Sequence, residues 1–230
     1  MMSRAGDQLY LVALTGGIAS GKSTVCRLLR ERGAHILDSD VLAREVVKKG
    51  EPAWREIVEH FGESVLTPQG EIDRGRLASI VFSDPEEIAF LNRVTHPRVF
   101  QLMGERLQEL EGLTGGRAVV VLDIPLLVEA KAAHLFQMNL VVDAPPEIQV
   151  QRLVAERGIS EEEAWARINS QATREDRLRH ADLVIENSGT LADLERAVDD
   201  AWKEIVSRAE KAGESPKQES SRPRRRDGSG

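Results

Sequence analysis

The sequence has a single cysteine, Cys26, among its 230 residues. One thiol excludes an internal disulfide and suits a reducing compartment. No apolar run reaches the roughly 18 residues that a membrane helix needs. There is no basic excess: the formal net charge is −7, so the chain lacks the global positive footprint of a nucleic-acid binder. The first residues are polar, so no signal peptide is expected. No internal repeat is present. No Asn is followed by Lys, so the N-K-x-D motif by which GTP-dependent switches read guanine is missing. These absences leave a soluble cytoplasmic protein, with no nucleic-acid partner, no membrane partner, and a monomeric or weakly homo-oligomeric state, as the expectation. The length suits one large domain, or a core with insertions, able to bury a substantial core.

What is present begins with Gly16-Gly17-Ile18-Ala19-Ser20-Gly21-Lys22-Ser23. It fits G-x-x-x-x-G-K-[ST] without a gap. Before it runs the apolar stretch Leu9–Leu14, as a buried parallel strand requires. After it, Val25, Leu28 and Leu29 fall on one helix face, and Gly33 closes that helix. Strand, glycine loop and helix together predict a phosphate site. Glycines let the backbone approach phosphate oxygens, and the loop N–H groups and helix N-terminus form an anion cradle. Residues Gly17, Ile18, Ala19, Ser20, Gly21, Lys22, Ser23 and Thr24 are the candidate ATP-binding set. Lys22 can reach the β- and γ-phosphates, and the Ser23 hydroxyl can sit on Mg²⁺. Cys26, just past the loop, reads as a packed small side chain.

A second strand, His35–Asp38, ends in Asp38-Ser39-Asp40 and leads into a helix from Val41. Acids at a strand's carboxyl end face the ligand crevice of an open α/β sheet. Asp38 or Asp40 is therefore expected near the γ-phosphate, with helix capping by Ser39 or Asp40 a compatible role. Residues 48–117 are mostly helical and exceed what a sheet crossover needs. They include a stripe at Trp54, Ile57, Val58 and Phe61, a loop from Gly62 to Asp73, and a helix around Leu77–Val81. One helix is then expected over 86–94 and another starting at Pro97. This insert is expected to be a helical lobe over the acceptor. Strands follow at Ala118–Asp123, Asn139–Asp143 and Asp182–Asn187. Asp123 is open to two readings, a holder of magnesium-bound water or a hydrogen-bond acceptor. Residues 146–181 hold Arg152, Arg157, Arg167, Arg174, Arg177 and Arg179, with capping-box spacing at Ser160 and Glu163. A cationic lid is the functional reading, a solvated face the alternative. A final amphipathic helix is expected to end near 210, and a disordered tail occupies 211–230.

These motifs resemble those of the dephospho-coenzyme A kinase family over roughly Leu9–Trp202. The resemblance rests on Thr15–Ser23, Asp38-Ser39-Asp40-Val41-Leu42-Ala43-Arg44, His96-Pro97, Pro125–Glu129, Val142-Asp143, Asn169-Ser170-Gln171, Ala181-Asp182 with Ile185, and Asn187-Ser188-Gly189. Ala19 and Ser39 stand where the family usually has glycine and alanine. Ala19 then demands a backbone angle that tolerates a Cβ. The resemblance implies an α/β P-loop NTPase three-layer sandwich with a five-stranded parallel sheet. The core would be 9–47, 118–145 and 182–210, the acceptor lobe 48–117 and the lid 146–181. It implies transfer of the ATP γ-phosphoryl to the ribose 3′-hydroxyl of dephospho-coenzyme A. It also implies roles: Asp40 on the hydroxyl, Asp38 supporting the site, Arg44 and His96 on the acceptor, Arg152 on the transferring phosphoryl and Asn187 beside adenine. A different small-molecule kinase on the same core is the nearest rival.

Overall fold

The computed structural model describes residues 9–81 and 84–214. The expected polar lead-in at 1–8, the helix stop at Phe82-Ser83 and the tail from 215 onward lie outside the described residues. Five strands form one sheet: β1 (Tyr10–Gly16), β2 (His35–Asp38), β3 (Val119–Asp123), β4 (Met138–Asp143) and β5 (Leu183–Glu186). Their order is β2-β3-β1-β4-β5, and every pairing is parallel. β1 lies between β3 and β4, so the loop after β1 opens where the connections diverge to either side. Open α/β sheets bind ligands at such a point.

Alternation along the strands builds three layers. Tyr10, Val12, Leu14, Val119 and Val121 face helices α1 (Lys22–Glu31) and α9 (Leu191–Glu214). Val120 and Leu122 face the other way, onto Met103, Leu107 and Leu110 of α5 (Pro85–Thr114). Each fully buried side chain of this size contributes about 1.5–3 kcal/mol. Helix α9 keeps its 3.6-residue apolar period at Leu194, Val198, Ala201 and Ile205. It runs through Glu214, so residues 211–214 are helical rather than part of the expected tail.

Helices α2 (Ser39–Glu45), α3 (Pro52–Phe61) and α4 (Arg74–Val81) precede α5. Ala53, Ile57, Val65, Leu77, Val81 and Val94 form a separate small core for this insert. The loop at 62–73 contains a 3-10 turn at Glu63–Val65 and an isolated bridge between Leu66 and Ile72. One expectation fails here. The two helices around His96-Pro97 are a single 30-residue helix with Pro97 inside it. Proline lacks the N–H that would bond four residues back. The carbonyl left without its helical donor is that of Arg93; the side chains beside it bond the neighbouring turns instead, Thr95 Oγ1 donating to Leu91 O at 2.8 Å and Arg98 Nη1 to Val94 O at 2.5 Å. Packing on both the insert core and β3 holds the two halves in line, which local sequence signals do not register.

Between β4 and β5 lie α6 (Pro146–Arg157), α7 (Glu161–Asn169) and α8 (Arg174–Arg179). Val150, Leu153 and Ala164 pack together, and Ile18 and Ala19 of the glycine loop join that cluster. The Ser160 cap forms, donated to by Glu163 N at 3.1 Å. The reciprocal half of the expected box does not, because the Glu163 carboxylate accepts from Arg167 instead, at 2.7 Å.

Candidate active site

The glycine loop between β1 and α1 is shaped by close approaches that a side chain would block. A Cβ on Gly16 would stand 2.6 Å from Val142 O, and one on Gly17 would stand 2.8 Å from Arg177 Nη2. Gly21 caps α1 at φ 93. Ala19 has φ 57, a left-handed angle that costs an L-residue about 1–2 kcal/mol. The angle is one that a Cβ tolerates only at that cost. The loop keeps the glycine-like angle and carries the strain, with the Ala19 methyl packed toward Val150 and Leu153.

Three parts of the chain hold this loop from outside. Gln171 Oε1 accepts from Ile18 N at 2.8 Å. Asn187 Nδ2 donates to Ser20 O at 2.7 Å. Arg152 bridges, giving Nη1 to Ala19 O at 3.2 Å and Nη2 to Asn187 O at 2.8 Å. Buried carbonyls must find donors, and here the donors come from 130 to 170 residues away. Arg177 is buried beside Gly17, with Nη1 on Ala172 O at 2.5 Å. Burial pushes its guanidinium pKa down.

Lys22 pairs with Asp123 at the end of β3. Asp123 accepts a hydrogen bond from the side chain of Lys22. Its other oxygen lies 3.4 Å from Cys26 Sγ, and its carbonyl accepts from Ser39 Oγ at 2.8 Å. Burial, and then the Asp123 charge, push the Cys26 thiol up to about 12. Cys26 is thus a packed neutral thiol, as expected. β2 and β3 pair Asp38 with Asp123, which puts both acids at the sheet's carboxyl edge. The cap of α2 is Asp38 rather than Ser39 or Asp40. Its Oδ1 accepts from Asp40 N at 2.8 Å and Val41 N at 3.1 Å. The reason is geometric: Asp38 is the last extended residue, so its side chain meets the first free N–H groups.

Beyond Asp38 the chain enters a cavity of about 770 Å³. Asp40, Arg44 and His96, distant in sequence, all line it, while Asp38 does not. Apolar side chains complete the wall, among them Phe100 and Leu135, which are 60% and 56% exposed. Ser39 and Ile124 connect the cavity to the glycine loop. Ser39 bonds the Asp123 carbonyl, and Ile124 N donates to Leu14 O at 2.9 Å.

The arginines of 146–181 separate by environment. Arg174 clamps Asp143 with 2.6–3.0 Å contacts, and that carboxylate pushes its pKa up. Arg167 and Arg179 pair with Glu163 and Asp176 on their own helices. Arg157 is exposed at the end of α6. Only Arg152 and Arg177 reach the glycine loop. Sequence reasoning named Gln171 without a role, and gave none to Gln149, buried beside Gly17. Neither has a local signal, because both act across the fold.

A magnesium ion carried on ATP phosphates needs little from the protein, since it keeps several waters. The Ser23 hydroxyl, exposed at the first turn of α1, meets that demand. Among the described residues no group of three or more His, Cys, Asp or Glu could hold a metal ion. The other ligands would be phosphate oxygens and water. No helix of the described residues is long and apolar enough to cross a membrane.

Comparison with known proteins agrees with this geometry. Residues 10–193 match the family model described as dephospho-CoA kinase. A dephospho-CoA kinase of Streptomyces avermitilis is 50% identical over 204 residues, covering 89% of this chain and 98% of that one. One from Thermobifida fusca is 50% identical over 197 residues, covering 86% and 96%. The solved dephospho-CoA kinase of Campylobacter jejuni is 27% identical with a TM-score of 0.60, covering 86% of this chain and 97% of that one. A solved Thermus thermophilus structure is 40% identical with a TM-score of 0.74, covering 86% and 98%. A phosphate loop followed by an acid-bearing cavity, on a parallel sheet shared with these proteins, places the chain in the dephospho-CoA kinase family of ATP-dependent P-loop kinases.

Proposed function

We propose that the cavity beside Asp40 holds dephospho-CoA and that the loop Gly17–Thr24 holds the ATP phosphates. The γ-phosphoryl then passes to the ribose 3′-hydroxyl, giving coenzyme A and ADP. The observation that carries this reading is the convergence of Asp40, Arg44 and His96 on one cavity next to the loop. The insert, 48–117, supplies much of the wall and serves as the acceptor lobe. The segment 146–181 serves as the lid, and 9–47, 118–145 and 182–210 as the core. The loop Ile124–Phe136 adds a wall that the sequence did not assign to the acceptor.

Each residue's task follows from its place. Asp40 orients the hydroxyl and accepts its proton as the new O–P bond forms and the bond to ADP breaks. In a loose transition state that proton leaves late, so position matters more than basicity. Lys22, already at the loop, moves from Asp123 to the phosphates or bridges the two. Arg152 neutralises the transferring group. Asn187 fixes the loop on which ATP rests and borders the base. Arg44 and His96 hold the acceptor, and Asp38 keeps α2 and Asp40 in place by capping. Ser23 would hold Mg²⁺, which when bound would supply charge neutralisation at the ATP phosphates. The single thiol and net charge of −7 support a cytoplasmic protein without a nucleic-acid partner.

The test is phosphoryl transfer from ATP and Mg²⁺ to dephospho-CoA, beside adenosine, AMP, shikimate and pantothenate. Turnover on dephospho-CoA alone, with the phosphate on the 3′-oxygen, is expected. Turnover on another acceptor and none on dephospho-CoA overturns the reading.

A further inference from the structure

The loop after β3 closes a tight turn. Ala130 N donates to Leu126 O at 2.9 Å, Lys131 N to Val128 O at 2.9 Å and Ala132 N to Leu127 O at 3.1 Å. This turn places Lys131 at φ 53. Among the described residues with a Cβ, Ala19 alone shares a positive φ. Glycine adopts that angle at no steric cost, whereas a lysine is strained there. The turn accounts for the angle but not for the lysine. A strained residue at a ligand wall is a reason to look for a ligand.

Lys131 lines the acceptor cavity. Among the described residues its ammonium has no hydrogen-bond or ion-pair partner, and the same holds for Arg44 and Arg74 on the same wall. Three unpaired cations face one carboxylate, Asp40, inside a protein of net charge −7. Local charge opposite to the global charge selects an anionic ligand. Most of the remaining wall is apolar, with Asn92, Thr95, His96 and His134 among its polar members, so the ligand joins an anionic part to a less polar one. The ATP phosphates are served by the glycine loop and Lys22. What remains is the diphosphate of the acceptor, which links its adenosine to an uncharged arm.

We propose that Lys131 is a specificity-determining residue, its ammonium binding the acceptor's diphosphate together with Arg74. This rests on the reading of the cavity as the dephospho-CoA site. The strained turn holds the lysine at the wall before the ligand arrives, which lowers the ordering cost of binding.

The test measures kcat, KM for dephospho-CoA, KM for ATP and melting temperature in the wild type and in Lys131→Gly, Lys131→Ala and Lys131→Arg. Lys131→Gly separates fold from function because it relieves strain while removing charge. It is expected to melt about 2 °C higher, yet to raise KM for dephospho-CoA about tenfold, as loss of a charged hydrogen bond does. Its kcat and KM for ATP are expected to stay within about twofold. Lys131→Ala raises the same KM, and Lys131→Arg brings it back to within about threefold of wild type. Raising the salt concentration raises that KM less steeply in Lys131→Gly than in wild type. An unchanged KM for dephospho-CoA in Lys131→Gly overturns the proposal, as does an equal rise in both KM values. A wild-type chain that fails to turn over dephospho-CoA overturns the cavity reading as well, and that arm alone tells the two failures apart.

Discussion

The two halves of the active site are prepared in opposite ways. At the glycine loop the long side chains that fix its shape are already engaged. Lys22 rests on Asp123, Asn187 and Arg152 hold the loop carbonyls, and Gln171 takes a loop N–H. At the neighbouring cavity the side chains of Asp40, Arg44, Arg74 and Lys131 have no hydrogen-bond or ion-pair partners among the described residues, and Phe100 and Leu135 stand open. The first arrangement fixes a shape for phosphates, which are alike in every nucleotide. The second leaves charge and apolar surface open, which suits the acceptor proposed above. The difference teaches that stability and function are coupled on the nucleotide side and separable on the acceptor side.

The largest expected effect comes from Lys22→Ala. Loss of a preorganised cation at the phosphates lowers kcat/KM by about 10²–10³-fold. It also strands Asp123, 7% exposed, at a cost of about 3 kcal/mol in urea unfolding. Adding Asp123→Asn is expected to recover much of the stability and none of the activity. If Lys22→Ala unfolds like wild type, the coupling on this side is absent.

Asp40→Asn sharpens the contrast. A drop in kcat of about 10²-fold is expected, with KM for ATP within about twofold. The stability stays within about 0.5 kcal/mol, because the carboxylate has no partner to lose. A loss of stability matching that of Lys22→Ala would erase the difference between the halves. Asn187→Ala belongs to the engaged side: it leaves Ser20 O without its donor, and about 1–2 kcal/mol of stability and several-fold in KM for ATP should go together.

A pH experiment probes the same side. The unfolded Cys26 thiol ionises near its ordinary value of 9, while the folded one holds its proton to about 12. Between those values the unfolded chain binds fewer protons, so stability falls as pH rises. The contribution is fully present below pH 9 and is reduced by about 1 kcal/mol at pH 10. Cys26→Ala is expected to remove that part of the alkaline decline in urea titrations. Smallest is Ala19→Gly. Relief of the left-handed alanine, less the added freedom of an unfolded glycine, predicts a gain of about 0.5 kcal/mol, read as a rise of one or two degrees in melting temperature.

Where the sequence read well, the determinants were local. The loop spacing, the apolar run before it and the periodic face of α9 are written in consecutive residues. The five strands follow from short apolar runs, and motif order singled out Asp40, Arg44 and His96, which line one cavity. Where it read poorly, neighbours in space decided. Pro97 marks a helix start by local rules, yet packing on two cores carries α5 through it. The cap of α2 moved one residue because it depends on where β2 stops. The six arginines of 146–181 look alike in sequence, and only their partners divide them.

By itself the sequence determined the phosphate loop, the order of strands and helices, and the family, because hydrophobic periodicity and glycine spacing act over a few residues. The tertiary structure alone decided which distant groups meet. It put Asp123 under Lys22, brought Gln171, Asn187 and Arg152 to the loop, and left Lys131 strained and unpaired at the acceptor wall. Those outcomes depend on sheet order and on the closure of long connections, which no local stretch of residues encodes.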